Sequence, residues 1–267
     1  MRAALVILIA MIVLPFRGHS QAYGQAYVEY GYSIFDYKSD ELVVFMQSYN
    51  QYFSPASPFD LKVPSAKGDY LKFGLGIGGN VGMVLDMCIY KAESSPMSVR
   101  YSNGSGRDIS YGLRNTITNV GVRFGGTSEI PVWGQMNINT MIQHVTIKSE
   151  KVYPDGSKSL GRDQAMNGVF SDFNLIFGLG ASVGFRVIGP LAITASADYI
   201  GRGIDSKSHP EYHQFDDNND VNNSSNYVPR DVGAYYAGSF ATENSISNDL
   251  RGWKFSFGAV FMISSDM

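Results

Sequence analysis

Polar and apolar residues alternate along most of this chain with a period of two. The pattern is cleanest near its end, where Trp253, Phe255, Phe257, Ala259, Phe261 and Ile263 share one face, opposed by Lys254, Ser256, Gly258 and Val260. An aromatic face backed by small or polar groups is what a strand needs with lipid on one side and a polar lumen on the other. Seven more segments follow the rule. Over 26–36, Val28, Tyr30, Tyr32 and Ile34 oppose Glu29, Gly31 and Ser33; over 69–79, Leu71, Phe73, Leu75 and Ile77 oppose Lys72, Gly74, Gly76 and Gly78. Over 81–91, Val81, Met83, Leu85, Met87 and Ile89 oppose Gly82, Asp86 and Cys88; over 115–125, Val120, Val122 and Phe124 oppose Asn119, Gly121 and Arg123. The segment 133–148 is less regular, with Met136, Ile138 and Ile142 against Gln135, Asn137, Asn139 and Gln143. Over 172–187, eight apolar positions from Phe173 to Val187 oppose Asp172, Asn174, four small residues between Gly178 and Gly184, and Arg186. Over 191–201, Leu191, Ile193, Ala195, Ala197 and Tyr199 oppose Thr194, Ser196 and Asp198. Each segment is about long enough to cross a bilayer on a tilt.

The connections alternate in length. Gly79-Asn80, 126–132 and Ile188-Gly189-Pro190 are short, whereas 37–68, 92–114, 149–171 and 202–250 are long. Short turns at one end and long loops at the other predict an antiparallel, up-and-down transmembrane β-barrel of eight strands, with both termini on the short-turn side. A further hairpin around 227–241 would raise the count to ten. A secreted β-sandwich is the competing architecture.

Composition agrees with a barrel. The chain has 267 residues, 29 of them Gly, 17 Tyr and 16 Phe, a net charge of -3 and one cysteine, Cys88. The charge balance gives no basic block for nucleic acid, and a lone cysteine excludes an internal disulfide. Residues 1–22 read as an export signal: Arg2 opens it, Ala3–Leu14 is an apolar run too short to span a membrane, and Ser20-Gln21-Ala22 and Gly24-Gln25-Ala26 both fit a small-x-small cleavage site. Domain organisation is then a signal over 1–22 and one barrel over 23–267.

With these residues in view, the chain resembles the eight-stranded outer-membrane barrels of Gram-negative bacteria, the class of the OmpA transmembrane domain, over about 26–263. The most specific match is Ser256-x-Gly258-x-x-Phe261-x-Ile263, similar to that class's C-terminal assembly signal. The resemblance implies placement in the outer membrane with periplasmic termini, contact with outer-membrane lipid, and recognition by the barrel-insertion machinery.

Eight strands leave an interior wide enough only for side chains. The inferred lumen face carries Lys72, Arg123, Arg186 and Lys254 against Glu29, Asp86, Asp172 and Asp198. Unpaired charges there are costly, and the resemblance implies interlocking ion pairs that plug the barrel. An ion path along the same residues is the functional alternative. The lumen glycines make room for long side chains.

Other motifs are weaker. Gly74-Leu-Gly76-Ile-Gly78-Gly79 has the letters of a dinucleotide loop but is followed by a strand, not a helix. Leu42, Phe45, Met46, Tyr49, Tyr52 and Phe53 recur at helical spacing after Ser39 and before Pro55 and Pro58, which predicts an amphipathic helix in the first long loop. Its apolar face can pack as a lid, lie on the membrane or dock a partner. Asp216, Asn218, Asp220 and Asn222 have calcium-loop spacing, but Val221 replaces the needed glycine and Tyr227 the bidentate Glu. His209-x-Glu211-x-His213 has ligand types without helical spacing. His144, near Thr146 and Ser149, is the one candidate catalytic group within the wall, and its parity points it toward lipid. The expectation is a non-enzymatic barrel that acts through its loops on an extracellular ligand or protein, without cofactor or metal. A narrow channel and a lipid-modifying enzyme are the alternatives.

Overall fold

The computed structural model describes residues 23–126, 131–160, 166–203, 213–215, 230–237, 246 and 250–266. Among these residues eleven strands and two helices follow one another in chain order: β1 (Tyr23–Lys38), α1 (Asp40–Phe53), β2 (Ala66–Gly78), β3 (Val81–Ser94), β4 (Met97–Arg100), β5 (Gly106–Gly125), β6 (Val132–Val152), β7 (Lys158–Ser159), β8 (Gly168–Ile188), β9 (Leu191–Gly203), β10 (His213–Phe215), α2 (Val232–Tyr236) and β11 (Arg251–Asp266). Eight of them (β1, β2, β3, β5, β6, β8, β9 and β11) pair antiparallel with their neighbours, and β11 returns to β1. The ring is closed. No helix among the described residues is long and apolar enough to cross a membrane.

The register fixes the barrel's shape. A path of directly opposed residues runs Gln25, Gly76, Val84, Gly121, Asn137, Gly180, Asp198, Lys254 and back to Phe35. It returns ten residues from where it began on β1. That stagger tilts the strands steeply and closes a barrel whose interior side chains can fill.

Outside, an apolar belt encircles the wall. On β3 it runs from Val81 to Ile89 and gives way to Lys91 and Glu93; on β2 it runs from Ile77 to Leu71 and gives way to Asp69 and Lys67. On β11 it extends from Ile263 to Trp253. Nine to eleven residues per strand is the bilayer-crossing length. This is an all-β transmembrane barrel of the outer-membrane type, and its ring contains eight strands. Around 227–241 the described part is the short helix α2, not a strand of an added hairpin.

Two long connections depart from the sequence expectation. Most of 92–114 and much of 149–171 is β-structure: β5 starts at Gly106, β6 runs on to Val152, and the short β4 and β7 pair with their ends. β5 and β6 are thus 20 and 21 residues long, about twice the crossing length. Beyond the belt the apolar residues change sides. Ile109, Tyr111 and Leu113 of β5 and Val145 and Ile147 of β6 point inward and are buried, while Arg114, Lys148 and Glu150 point outward. Above the membrane the wall faces water, so the apolar face moves to the interior.

One consequence is measurable. Leu85 lies mid-belt and is 54% exposed. Leu85→Arg destabilises the folded barrel in lipid vesicles by about 2–4 kcal/mol, read by denaturant unfolding, and leaves a detergent-solubilised control much less affected.

Candidate functional site

The lumen is built in three storeys between the short-turn end and the long-loop end. At the short-turn end, Trp133, Met262, Val84, Ala192 and Val260 form a small apolar floor with the ring of Tyr27. Arg123 lies over the Tyr27 and Trp133 rings, at 5.0 and 5.4 Å from their centroids. The Trp133 ring rests on Gly184, directly opposite it on β8, where a side chain would collide with the indole.

The middle storey holds the charged residues anticipated in the lumen. Most of its bonds join residues that the register already sets side by side. Glu29 faces Lys72, with Nζ to Oε2 at 3.0 Å, and Asp198 faces Lys254, with Nζ to Oδ2 at 2.7 Å. Ser33 donates to Ser256 at 2.7 Å, and Arg123 donates from Nε and Nη2 to the Oε1 of Gln135 at 3.1 and 2.9 Å. Asp86 takes no direct cation. It accepts from Tyr27 at 2.8 Å, from Asn119, and from Gln135 at 3.4 Å. Gln135 therefore relays between Arg123 and Asp86: its oxygen accepts from the guanidinium and its nitrogen donates to the carboxylate. Three carboxylates and three cations balance in a space with little water.

Glycines set the reach of the aromatic donors. In one row Tyr27, Gly74 and Asp86 stand on β1, β2 and β3. The Tyr27 ring lies across Gly74 to reach Asp86, and a Cβ on Gly74 would overlap that ring. Tyr70 likewise extends over Gly31 and Gly258 to donate to Glu29, which also accepts from Thr194 at 2.7 Å. The glycines thus make room for tyrosines as well as for charged chains.

Two anticipated members stand apart. Arg186, half-buried at the short-turn end, is within 3.5 Å of the Gly126 carbonyl and meets none of the lumen carboxylates. The backbone of Asp172 faces Val145 in register, and its side chain lies outside the described residues.

The upper storey is an apolar core. Phe35, Tyr37, Tyr90, Tyr111, Leu113, Val145, Ile147 and Phe170 fill the lumen above the belt. α1 closes it. Ser39 caps the helix by accepting from the Leu42 amide at 3.3 Å; Ser54, in the left-handed region at φ 43°, ends it just before Pro55. Leu42, Phe45, Met46 and Tyr49 are buried in the core, Phe53 is half-buried, and Tyr52 is exposed but stacks on Tyr236 of α2. α1 also gathers the loops. The Asn50 amide clamps both backbone groups of Phe59, at 3.0 and 2.8 Å. Tyr49 and Tyr101 share a 2.8 Å hydroxyl bond, and Ser48 accepts from the Val232 amide at 3.0 Å. The periodicity located the helix; its role as the closure of an apolar storey needed the inward turn of β1, β5, β6 and β8.

Asp108 ties the extension together from the side. It pairs with Arg100 and Lys158, both at 2.8 Å, joining the β4–β5 hairpin to β7. Burial pushes its carboxyl up, but hydrogen bonds from Arg100 and Lys158 outweigh this and hold it below the ordinary carboxylate range.

Among the described residues the remaining candidates do not come together. His144 points outward from β6 and faces Arg114 and Phe173 in register, with no carboxylate or hydroxyl opposite it. Ser149, two turns of the pleat away, is buried and accepts from Arg107 at 2.7 Å. Gly74, Gly76 and Gly78 lie within β2 and its turn to a strand, not before a helix. Ser256 and Gly258 point into the lumen, whereas Phe261 and Ile263 point outward. The backbone of His213 pairs with β8, but His209, Glu211 and the calcium-like 216–222 lie outside the described residues. Among the described residues no three His, Cys, Asp or Glu side chains gather as a metal site.

No protein-family model matches the chain, and no curated protein matches it. Among solved structures, it is similar to Ail, the attachment invasion locus protein of Yersinia pestis, with 12% identity, 90% of this chain and 99% of that one covered, and a TM-score of 0.41. It is also similar to Neisserial surface protein A, with 13% identity, 92% and 99% covered, and a TM-score of 0.35. The outer-membrane protease OmpT of Escherichia coli shows 10% identity, 94% and 99% covered, and a TM-score of 0.29. These are distant likenesses; the fold rests on the closed ring of this chain itself.

Two outcomes follow from the storeys. Gly74→Val forces Tyr27 off Asp86 and costs about 1–3 kcal/mol by overpacking, measured by equilibrium unfolding in detergent. Asp108 is depressed when folded, so its stabilisation is complete above the unfolded value, about pH 4, and is lost as pH falls through its lower folded value. Amide-exchange protection over 97–109 and 158–159, each rate taken relative to its intrinsic rate at that pH, should fall on acidification in the native chain. In Asp108→Asn protection should already be low at neutral pH and change little with acid.

Proposed function

We propose that this protein is a non-enzymatic, non-conducting barrel of the bacterial outer membrane that presents a capped platform at its long-loop end to an extracellular ligand or protein. The observation that carries this reading is the upper storey: α1 and the inward aromatics close the lumen above the belt, over a middle storey of hydrogen-bonded side chains. A channel needs a continuous wet path, and an apolar upper storey over paired charges speaks against one. A lipid-modifying enzyme would need a base with a nucleophile or second acid within reach, and His144 faces Arg114 and Phe173 instead.

In this reading residues 1–22 serve as the export signal, and Ser256 to Ile263 are read by the barrel-insertion machinery. Both termini then lie in the periplasm with the short turns. The cap and the strand extensions stand in the extracellular medium, where polar outer faces such as Lys91, Lys148 and Glu150 belong.

Two measurements test it. Purified, folded protein in planar bilayers should give no conductance above baseline; reproducible single-channel steps would instead support the channel. For orientation, the single native cysteine is buried and gives little background, while Ser102 is exposed in the β4–β5 turn. Ser102→Cys should react with an impermeant maleimide in intact cells. Reaction only after the cells are broken would reverse the orientation.

A further inference from the structure

The first polar row above the apolar belt carries unbalanced positive charge on one side of the wall. Traced through the register, the row reads Tyr32, Asp69, Lys91, Arg114, His144 and Phe173 on β1, β2, β3, β5, β6 and β8. The row beneath it reads Tyr30, Leu71, Ile89, Thr116, Ile142 and Leu175. Both rows point outward, so the polar one stands where the hydrocarbon of a bilayer gives way to headgroups.

The charges do not compensate one another along this row. Lys91 has acidic neighbours, Asp69 across the strand pair and Glu93 at 3.7 Å. Arg114 has none. It is exposed, with Lys91 on one side and His144 on the other. Like-charged or potentially like-charged groups on facing strands repel, and nothing in the interior requires them there. Interior-facing charges of this protein are matched almost residue for residue, which makes Arg114, set between two basic side chains, a feature of the surroundings. A phosphate is the complement: guanidinium binds it bidentately, and Lys91 and His144 flank the same spot. Directly below, Ile89 and Ile142 are 46% and 55% exposed and offer contact to chains hanging from that phosphate. At the end of the row Phe173 is 72% exposed, an aromatic at headgroup height. A free phosphate would use the cations and ignore the apolar wall; a lipid uses both.

We propose that Lys91, Arg114 and His144 form a headgroup site for a net-anionic membrane lipid, with its phosphate on Arg114 and its acyl chains along Ile89 and Ile142. The site rests on the apolar belt being the bilayer-crossing part of the barrel. It would pin the barrel's depth on the β3–β5–β6 side and order a lipid at the foot of the cap.

The test uses the full chain in detergent micelles, with phosphatidylglycerol and phosphatidylcholine as probes and native mass spectrometry as the readout. Each Lys or Arg near an anionic surface is worth a factor of about five in association. Lys91→Gln/Arg114→Gln should therefore retain phosphatidylglycerol about 25-fold less well at low salt, with phosphatidylcholine unchanged. Arg114→Lys, which keeps the charge, should retain most of it. All three side chains are on the outer wall, and a boiling-dependent shift on SDS gels verifies that each variant is folded. A folded double variant that holds phosphatidylglycerol as the native protein does would overturn the proposal. So would complete displacement of the lipid by millimolar inorganic phosphate, which would mark a free-anion site. A chain that stays soluble and monodisperse without detergent would remove the membrane reading itself, before any lipid is added.

Discussion

A backbone amide in hydrocarbon has no water to bond to, so a β-structure crosses a bilayer only when every strand has a partner on both sides. The pairing of β11 with β1 meets that requirement here, and with it the rest of the molecule is constrained. Ring closure with a stagger of ten residues sets which side chains stand opposite one another inside. The ion pairs Glu29–Lys72 and Asp198–Lys254, the amide relay at Gln135 and the Ser33–Ser256 bond are all direct consequences of that register. A one-residue slip of any strand would turn these groups to lipid and bring leucines and phenylalanines into the lumen.

The lumen is then a problem of volume as much as of charge. Its inward positions are crowded, and glycines are placed where a neighbour must cross the row. Tyr27 over Gly74 and Tyr70 over Gly31 and Gly258 show the device: a strand gives up its own side chain so that a neighbouring strand's tyrosine can cross it to satisfy a carboxylate. Glycine weakens a strand locally, but a buried carboxylate left without donors would cost more.

Height along the wall divides the chemistry. Within the belt the outside is apolar and the inside polar; beyond it the outside meets water and the inside becomes an apolar core that α1 seals. The cap belongs to that upper core, not to the charged lumen, so closure of the barrel and gathering of the loops are one packing event. Asn50, Ser48 and Tyr49 each reach a different loop from the same helix.

The local pattern of the chain was enough to determine the barrel class, the sidedness of all eight crossing segments, the amphipathic helix and the identity of most charged lumen residues. These depend on a period of two or of 3.6 held over one element, which neighbouring residues carry by themselves. The extensions of β5, β6 and β8 were not legible, because the apolar phase inverts near residue 115 on β5 and a scan at constant phase stops there. Which lumen charges pair directly and which are relayed, the isolation of Arg186, and the run of Lys91, Arg114 and His144 along one outer row were decided only by tertiary structure. Each depends on register between strands far apart in the chain. That register is set by closing the whole ring, and no single segment contains it.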